Sequence, residues 1–478
     1  MRGTARASLA AVLAVLALPG AAGAEHAASY GLVASNANFL PSDPGARADA
    51  YRALHDAGVR AIRLDINWHD VEPPGPPLRD FDFAERDREV AMIRDAGLHV
   101  IGLLAYGHPD YSALGGLLAR TPLGGGVPPF AVGAAHLVPP DDPRDFARYA
   151  AATAEHYGDE VIAWEVWNEQ NEGWRFWAPH EDPLAYARLL CAAHDALKAA
   201  DPDTPVVYGG VFFPAVANLP GMSGPEFVRA TYRADPRLGR CFDVLAYHPY
   251  PYPFTSPEVD VPIRGSVLSA AGEMRAALPP TDRHKPLWIT EVGWPTHDRS
   301  YGVSETKQAQ YVARMQAATF AQGLPVLTWY TYGGAEDPTG ANQEAWFGFF
   351  RPDGSPKPAV RALSTFTRVF EGAEFERDLS RELGLPRGRL LLGGRGFALE
   401  YLGAGERIVA LWLAGESAAD GQGPFPQTDR TRALALPVDA PEVRVVSHLG
   451  DERSVAAQDG RVALTIGPGP LYVVEPRG

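Results

Sequence analysis

A chain of 478 residues is too long for one ordinary hydrophobic core, and 46% hydrophobic with 21% charged residues is the balance of a soluble globular protein. The formal net charge of −15 speaks against nucleic acid and strongly anionic polymers as partners, because like charges repel at long range unless a local basic pocket overrides them.

The first 24 residues read as a secretory signal. Arg2 and Arg6 form a positive n-region, Leu9 to Leu18 an apolar h-region too short to span a bilayer, and Ala22-Gly23-Ala24 a small-x-small cleavage site. Removing the segment takes the charge to about −17, and the mature protein is expected to start near Glu25, secreted or periplasmic. No cysteine follows the h-region to carry a lipid, and no later run reaches the ~18 apolar residues of a membrane helix, so no membrane span is expected. A monomer is the expected state. Export permits a disulfide between Cys191 and Cys241, but their spacing decides neither for nor against one, and neither has a second ligand at zinc-like spacing.

From about residue 30 to 370 short apolar strands alternate with amphipathic helices. Strands are predicted at 30–34, 59–66, 98–105, 161–168, 205–211, 243–248, 286–291 and 325–331, with helices at 45–57, 83–96, 143–157, 183–200, 225–234, 263–278, 304–322 and 358–370. Asp182-Pro183 supplies an N-cap and a first-turn proline, and Tyr186, Leu189, Leu190, Ala193 and Leu197 then mark one helical face. After Ser304, Tyr311, Val312, Met315 and Thr319 mark another face, and Gly323 stops that helix. Each helix is the crossover that parallel strands require, so the pattern predicts a (β/α)8 TIM barrel over 25–370. A doubly wound open sheet is the alternative, but its G-x-G-x-x-G fingerprint follows none of the strands. The Gly- and Pro-rich stretch 115–140 is too long for a bare connection and is either a substrate loop on the barrel's C-terminal face or a surface insertion. Beyond 370 the runs 396–402, 407–413, 432–438, 443–448 and 462–474 are β-rich, with turns at Gly403–Gly405, Gly450-Asp451 and Gly467–Pro470, and predict an all-β sandwich domain over 371–478.

Two motifs carry the chemistry. Trp164-Glu165-Val166-Trp167-Asn168-Glu169 ends the fourth strand, and Trp288-Ile289-Thr290-Glu291-Val292-Gly293-Trp294 ends the seventh. A barrel brings both ends to one mouth. Two carboxylates at a sugar-sized pocket suit glycoside hydrolysis, one donating a proton to the leaving oxygen and the other attacking the anomeric carbon. Their environments must separate their pKa values, and flanking tryptophans would raise a carboxyl by desolvation as well as stack on sugar. Glu165 is the rival acid. Four residues before Glu169 on an extended strand, it lies roughly 13 Å deeper and is expected to be a buried, paired carboxylate.

These residues resemble the fourth- and seventh-strand glutamates of clan A glycoside hydrolases, and the wording W-E-V-W-N-E-Q-N is similar to glycoside hydrolase family 39, with family 5 next. Gln170 stands where that wording has proline. The resemblance implies Glu169 as acid/base and Glu291 as nucleophile, with net retention. It further implies Asn168 on the sugar 2-hydroxyl, Arg63 holding the nucleophile ionised, His248 and Tyr250 as the His-x-Tyr pair of the sixth strand, and Trp329 as a sugar platform. Trp174 and Trp177 either line the leaving-group side or pin their loop, and Tyr106 and His108 either touch substrate or belong to the fold. The motifs H-E-x-x-H, G-x-S-x-G and Walker loop are missing, and the expected chemistry needs no cofactor and no metal. The expected partner is an oligo- or polysaccharide. A transglycosylase on the same site and a catalytically dead carbohydrate-binding barrel are the alternatives.

Overall fold

The computed structural model describes residues 32–76, 78, 80–120, 135–173, 175–214, 221–251, 254–259, 266–297, 302–334, 342–386, 395–414 and 431–477. The expected secretory segment 1–24 and Trp174 lie outside them. Eight parallel strands close into a barrel in sequence order: β1 Leu32–Asn36, β2 Ala61–Asn67, β3 His99–Ala105, β4 Val161–Val166, β5 Val206–Phe212, β6 Val244–His248, β7 Leu287–Val292 and β8 Val326–Trp329. Every residue of β5, β6 and β7 is buried, as expected of barrel strands covered on both faces. Three helices start with the same device. Asp43, Asp142 and Asp182 each cap a helix whose first residue is proline, accepting from the amides of Ala46, Arg144 and Leu184.

The chain divides into two compact units. One takes Arg60–Pro249 and Ala271–Glu291 and so holds β2 to β7 up to Glu291; the other takes Tyr250–Ala270 and Val292–Gly478 with the described residues preceding Arg60. Within the first, the stretch 115–140 is not a bare connection where it is described. It overlaps the helix Ala113–Arg120 and a short 3-10 turn, Ala135–Leu137, and Leu118 and Val138 pack there with Ala178.

In the second unit the C-terminal strands are β9 Glu374–Asp378, β10 Arg395–Leu402, β11 Glu406–Ala414, β12 Arg432–Pro437, β13 Glu442–Ser447, β14 Glu452–Ala456, β15 Arg461–Ile466 and β16 Leu471–Pro476. They form an antiparallel sheet ordered β14-β13-β16-β11-β10-β9 and a two-stranded ribbon β12-β15, with Val409, Leu411 and Val445 of the sheet meeting Leu436, Val462 and Ile466 of the ribbon in one core. The sequence pattern missed β9 and β14. Both are edge strands of mostly exposed charged residues, which carry no apolar alternation and blunt the sheet's edges. The helix Glu305–Ala321 has its polar side buried too, against the pattern's expectation of one apolar face. Arg314 donates to the carbonyl of Pro468, and the Tyr401 hydroxyl bonds the carbonyl of Ala317, so the C-terminal sheet covers the face that would otherwise meet water.

Cys191, on the helix Pro183–Ala200, and Cys241, just before β6, form a disulfide that closes a loop with a sequence separation of 50 residues. In the chain-entropy account a loop of that length stabilises by about 4 kcal/mol, less any native strain. Reduction, or the double substitution Cys191→Ala/Cys241→Ala, is therefore expected to lower unfolding stability by about 2–4 kcal/mol in a denaturant titration with and without reductant. An unchanged midpoint would mean that the bridge does not form in solution.

Candidate active site

The centre of the site is one guanidinium. Arg63 lies on β2 facing into the barrel, 1% exposed. Its Nε and Nη2 donate to Oε2 and Oε1 of Glu165 at 2.7 and 3.0 Å, its Nη1 to Oε1 of Glu291 at 2.7 Å, and Nη2 also to Oδ1 of Asn168 at 2.9 Å. Burial works against the charge, but Glu165 and Glu291 outweigh it and hold Arg63 protonated. Glu165 is fully buried and paired, as expected, and also accepts from the amide of Gly210 and the hydroxyl of Thr290. One nitrogen of Arg63 reaches both Glu165 and Asn168, three residues further on, so the chain between them does not run straight.

The backbone gives the reason. β4 stops at Val166, two residues short of its predicted end, and Trp167 and Glu169 take left-handed φ values of 70° and 46°. Such conformations cost non-glycine residues roughly 1–2 kcal/mol each, and surrounding bonds hold them. The Glu169 amide donates to the carbonyl of Gly210, the Trp167 indole to that of Phe176, Gln170 to that of Gly209, and Asn171 to that of Phe212. Gln170 thus pins the turn. Glycine is needed at 210 because a Cβ there would lie 2.1 Å from Nε2 of His248.

His248 ends β6 and joins both motifs. Its Nδ1 lies 2.9 Å from Oε1 of Glu169 and 3.8 Å from Oε2 of Glu291, and its Nε2 lies 3.0 Å from the Thr290 hydroxyl, which in turn donates to Glu165. With the Thr290 proton on Glu165, Nε2 must carry a hydrogen, so Nδ1 and Glu169 share one further proton. The tryptophan-based expectation of a raised Glu169 is corrected here. Burial raises it, but the Arg175 charge and the His248 hydrogen bond prevail and hold its carboxyl below the usual range. Glu169 Oε1 faces His248, while Oε2, buried, has only the guanidinium of Arg175 at 3.4 Å and no hydrogen bond among the described residues.

Sequence reasoning missed four further groups: Asp65, Glu172, Arg175 and Thr290. Asp65 shares a strand face with Arg63 through the two-residue repeat, a signal that was legible; Arg175 stacks over Phe176 and Phe212, with nothing in its spacing to mark it. Glu169, His248 and Glu291 each place one ligand-type atom within 4.8 Å of the others, a set that could take a metal ion. Arg63 and Arg175 already lie against the two carboxylates, however, and a divalent cation would face both fixed positive charges. The donor set therefore suits proton transfer better.

The remaining predicted residues divide. Tyr106 is half-buried and stacks on Phe176; burial, with the charges of Asp65 and Glu291, keeps its hydroxyl protonated, so it lines the carboxylate pocket. His108 does not. It is fully buried, Nε2 bonds the carbonyl of Glu72 and Nδ1 accepts from the amide of Asp110, so backbone groups occupy both nitrogens. Trp177 is buried between Trp167 and Tyr186 and pins its loop instead of lining a subsite. In the second unit Tyr250 is half-buried, edge-on to Tyr330 and Phe347. Trp329 is 1% exposed and packs on Trp294 and Phe349, so its ring is core and not an open platform; its half-buried neighbour Tyr330 is the aromatic nearer to Tyr250.

No family model and no curated protein matches the sequence. Solved structures do match the fold. A family 39 glycoside hydrolase from Bacteroides cellulosilyticus WH2 aligns over 94% of this chain and 81% of its own at 20% identity and a TM-score of 0.67. A monomeric beta-xylosidase from Caulobacter crescentus CB15 aligns over 94% and 97% at 16% identity and 0.59. The family 39 enzyme from Xanthomonas axonopodis pv. citri aligns over 94% of each chain at 16% identity and 0.58.

Glu172 gives a test of the electrostatics. It is 4% exposed, and burial with the charge of Glu169 pushes its carboxyl up to about 8, against the pull of Arg175. A carboxyl raised on folding leaves stability intact below its unfolded value near ~4.3 and takes it away as pH climbs through the folded value. Glu172→Gln is expected to melt like the wild type at pH 4 and above it at pH 9; equal melting temperatures at pH 9 would remove the buried acid from this account.

Proposed function

We propose that this protein is a retaining glycoside hydrolase that cleaves a β-linked oligo- or polysaccharide outside the inner membrane, acting as a monomer. The observation that carries the reading is the approach of the two carboxylates. An oxygen of Glu169 and an oxygen of Glu291 lie within 4.8 Å of each other, around a pocket where one carboxylate is held by Arg63 and the other shares a proton with a histidine. Retaining glycosidases keep their carboxyl groups ~5–5.5 Å apart, whereas inverting ones need ~6.5–9.5 Å to admit a water. The barrel's likeness to family 39 glycoside hydrolases and to a beta-xylosidase supports the same reading, and the disulfide supports an oxidising compartment.

Glu291 attacks the anomeric carbon as the bond to the leaving oxygen breaks. Arg63 orients the nucleophile by its hydrogen bond to Oε1. The leaving oxygen takes a proton from Glu169. The proton that Glu169 shares with Nδ1 of His248 across their 2.9 Å contact is the one it passes on. Glu169, again a carboxylate, then accepts a proton from water. The water attacks the anomeric carbon, Glu291 departs, and two inversions leave the configuration unchanged. The amide nitrogen of Asn168 donates to the sugar, its oxygen being fixed by Arg63. The described residues include no helix long and apolar enough to cross a membrane.

Glu291→Ala is expected to lower turnover of aryl β-glycosides by at least ~10³-fold, and added azide to restore it as the α-glycosyl azide. Proton NMR of the first-formed product of the wild type should read the β-anomer. An α-anomer, or an active Glu291→Ala variant without azide, would sink the mechanism.

A further inference from the structure

The glycosidase reading leaves Asp65 without a task. Asp65 follows Arg63 by two residues on β2, so the two side chains leave the same face of the strand and Asp65 stands roughly 7 Å nearer the C-terminal mouth. Arg63 points inward, as its bonds to Glu165, Glu291 and Asn168 establish, and Asp65 therefore opens on the same pocket one step further out. Its charge acts on Arg63 and on the Tyr106 hydroxyl, and the charge of Glu291 acts on it.

Asp65 is half-buried and, among the described residues, has neither a hydrogen bond nor an ion pair. The three glutamates around Arg63 and His248 are engaged: Glu165 and Glu291 with Arg63, Glu169 with His248 and Arg175. Burial, with the charges of Glu291 and Glu165, pushes the Asp65 carboxyl up to about 6 against the opposing pull of Arg63 and Arg86. A carboxylate placed there destabilises the fold and gains no bond from it. Groups with that profile in a concave site are recognition groups waiting for a ligand donor.

We propose that Asp65 accepts a hydrogen bond from a ring hydroxyl of the sugar held at Glu291, and that this contact selects glycosides carrying that hydroxyl. The inference rests on the glycosidase reading above. Asn168, bound to Arg63 through its oxygen, offers the sugar a donor; Asp65 offers only acceptors. The two positions thus read two different hydroxyls, from the fourth and the second strands.

The test is a comparison of enzyme and substrate deletions. Wild type, Asp65→Ala and Asp65→Asn are assayed on whichever aryl β-xyloside, β-glucoside or β-galactoside the wild type cleaves fastest, and on its singly deoxygenated analogues, with melting temperatures recorded alongside. Asp65→Ala is expected to lose ~10-fold or more in kcat/KM on the parent but little on the one analogue that lacks the partner hydroxyl. Asp65→Asn is expected to recover part of the loss, and both variants to melt at or above the wild-type temperature. Equal losses on every analogue, unchanged kcat/KM on the parent, or a melting temperature that falls with activity would each overturn the assignment. A wild type inactive on all donors would instead overturn the glycosidase reading itself, and this inference with it.

Discussion

A single buried guanidinium organises this protein. Arg63 is 1% exposed and ties β2 to Glu165 on β4, to Glu291 on β7 and to Asn168 beyond β4, across sequence separations of 102, 228 and 105 residues. A guanidinium suits the task because its donors are fixed in one plane and it never deprotonates, so the carboxylates it meets are held in both charge and direction. The distribution of bonds is uneven. From Arg63, Glu165 takes a two-point contact and Glu291 a single bond. Removing Arg63 would leave the buried carboxylate of Glu165 without its counter-charge, a loss that typically costs about 3–5 kcal/mol. The same group therefore serves the barrel's closure around its centre and the reactivity of its mouth.

Around that fixed centre the structure builds a chain of hydrogen bonds. Thr290 links Glu165 to His248, and His248 links onward to Glu169, so the ring's orientation derives from the same buried acid that anchors Arg63. The left-handed turn at Trp167 and Glu169 aims the acid at the ring and leaves Oε2 towards Arg175. Strain of this kind persists only where surrounding bonds over-determine it, and here the carbonyls of Gly209 and Gly210 do so. The glycine pair on β5 thus bears on chemistry although neither residue has a side chain.

Much of this was legible in the chain. The alternation of strands and helices predicted the barrel, and the two motifs located both glutamates, because strand ends of a parallel barrel must converge. The aromatic and histidine assignments fared worse. His108, Trp177 and Trp329 stand at strand ends or in the following loop, where sequence alone cannot tell a residue that faces substrate from one that stiffens the rim. His108 spends both nitrogens on backbone, and Trp177 and Trp329 are enclosed by other rings. Pattern failed differently at β9 and β14, whose charged composition reflects their exposure at sheet edges and says nothing of strand. At the helix Glu305–Ala321 the polar side was real, but a second layer of structure covered it.

The sequence by itself determined the architecture and marked the two glutamates near their strand ends, since period and motif are properties of neighbouring residues. Only the tertiary structure decided the charge balance at Glu169. Pattern placed Glu169 among tryptophans, which predicts a raised carboxyl; the fold brought Arg175 and His248 to it, and the direction reversed. It likewise joined Cys191 to Cys241 and left Asp65 facing the pocket without a partner. Protonation depends on the distance to charges far away in the chain and on the water excluded between them, and neither quantity is written in local order.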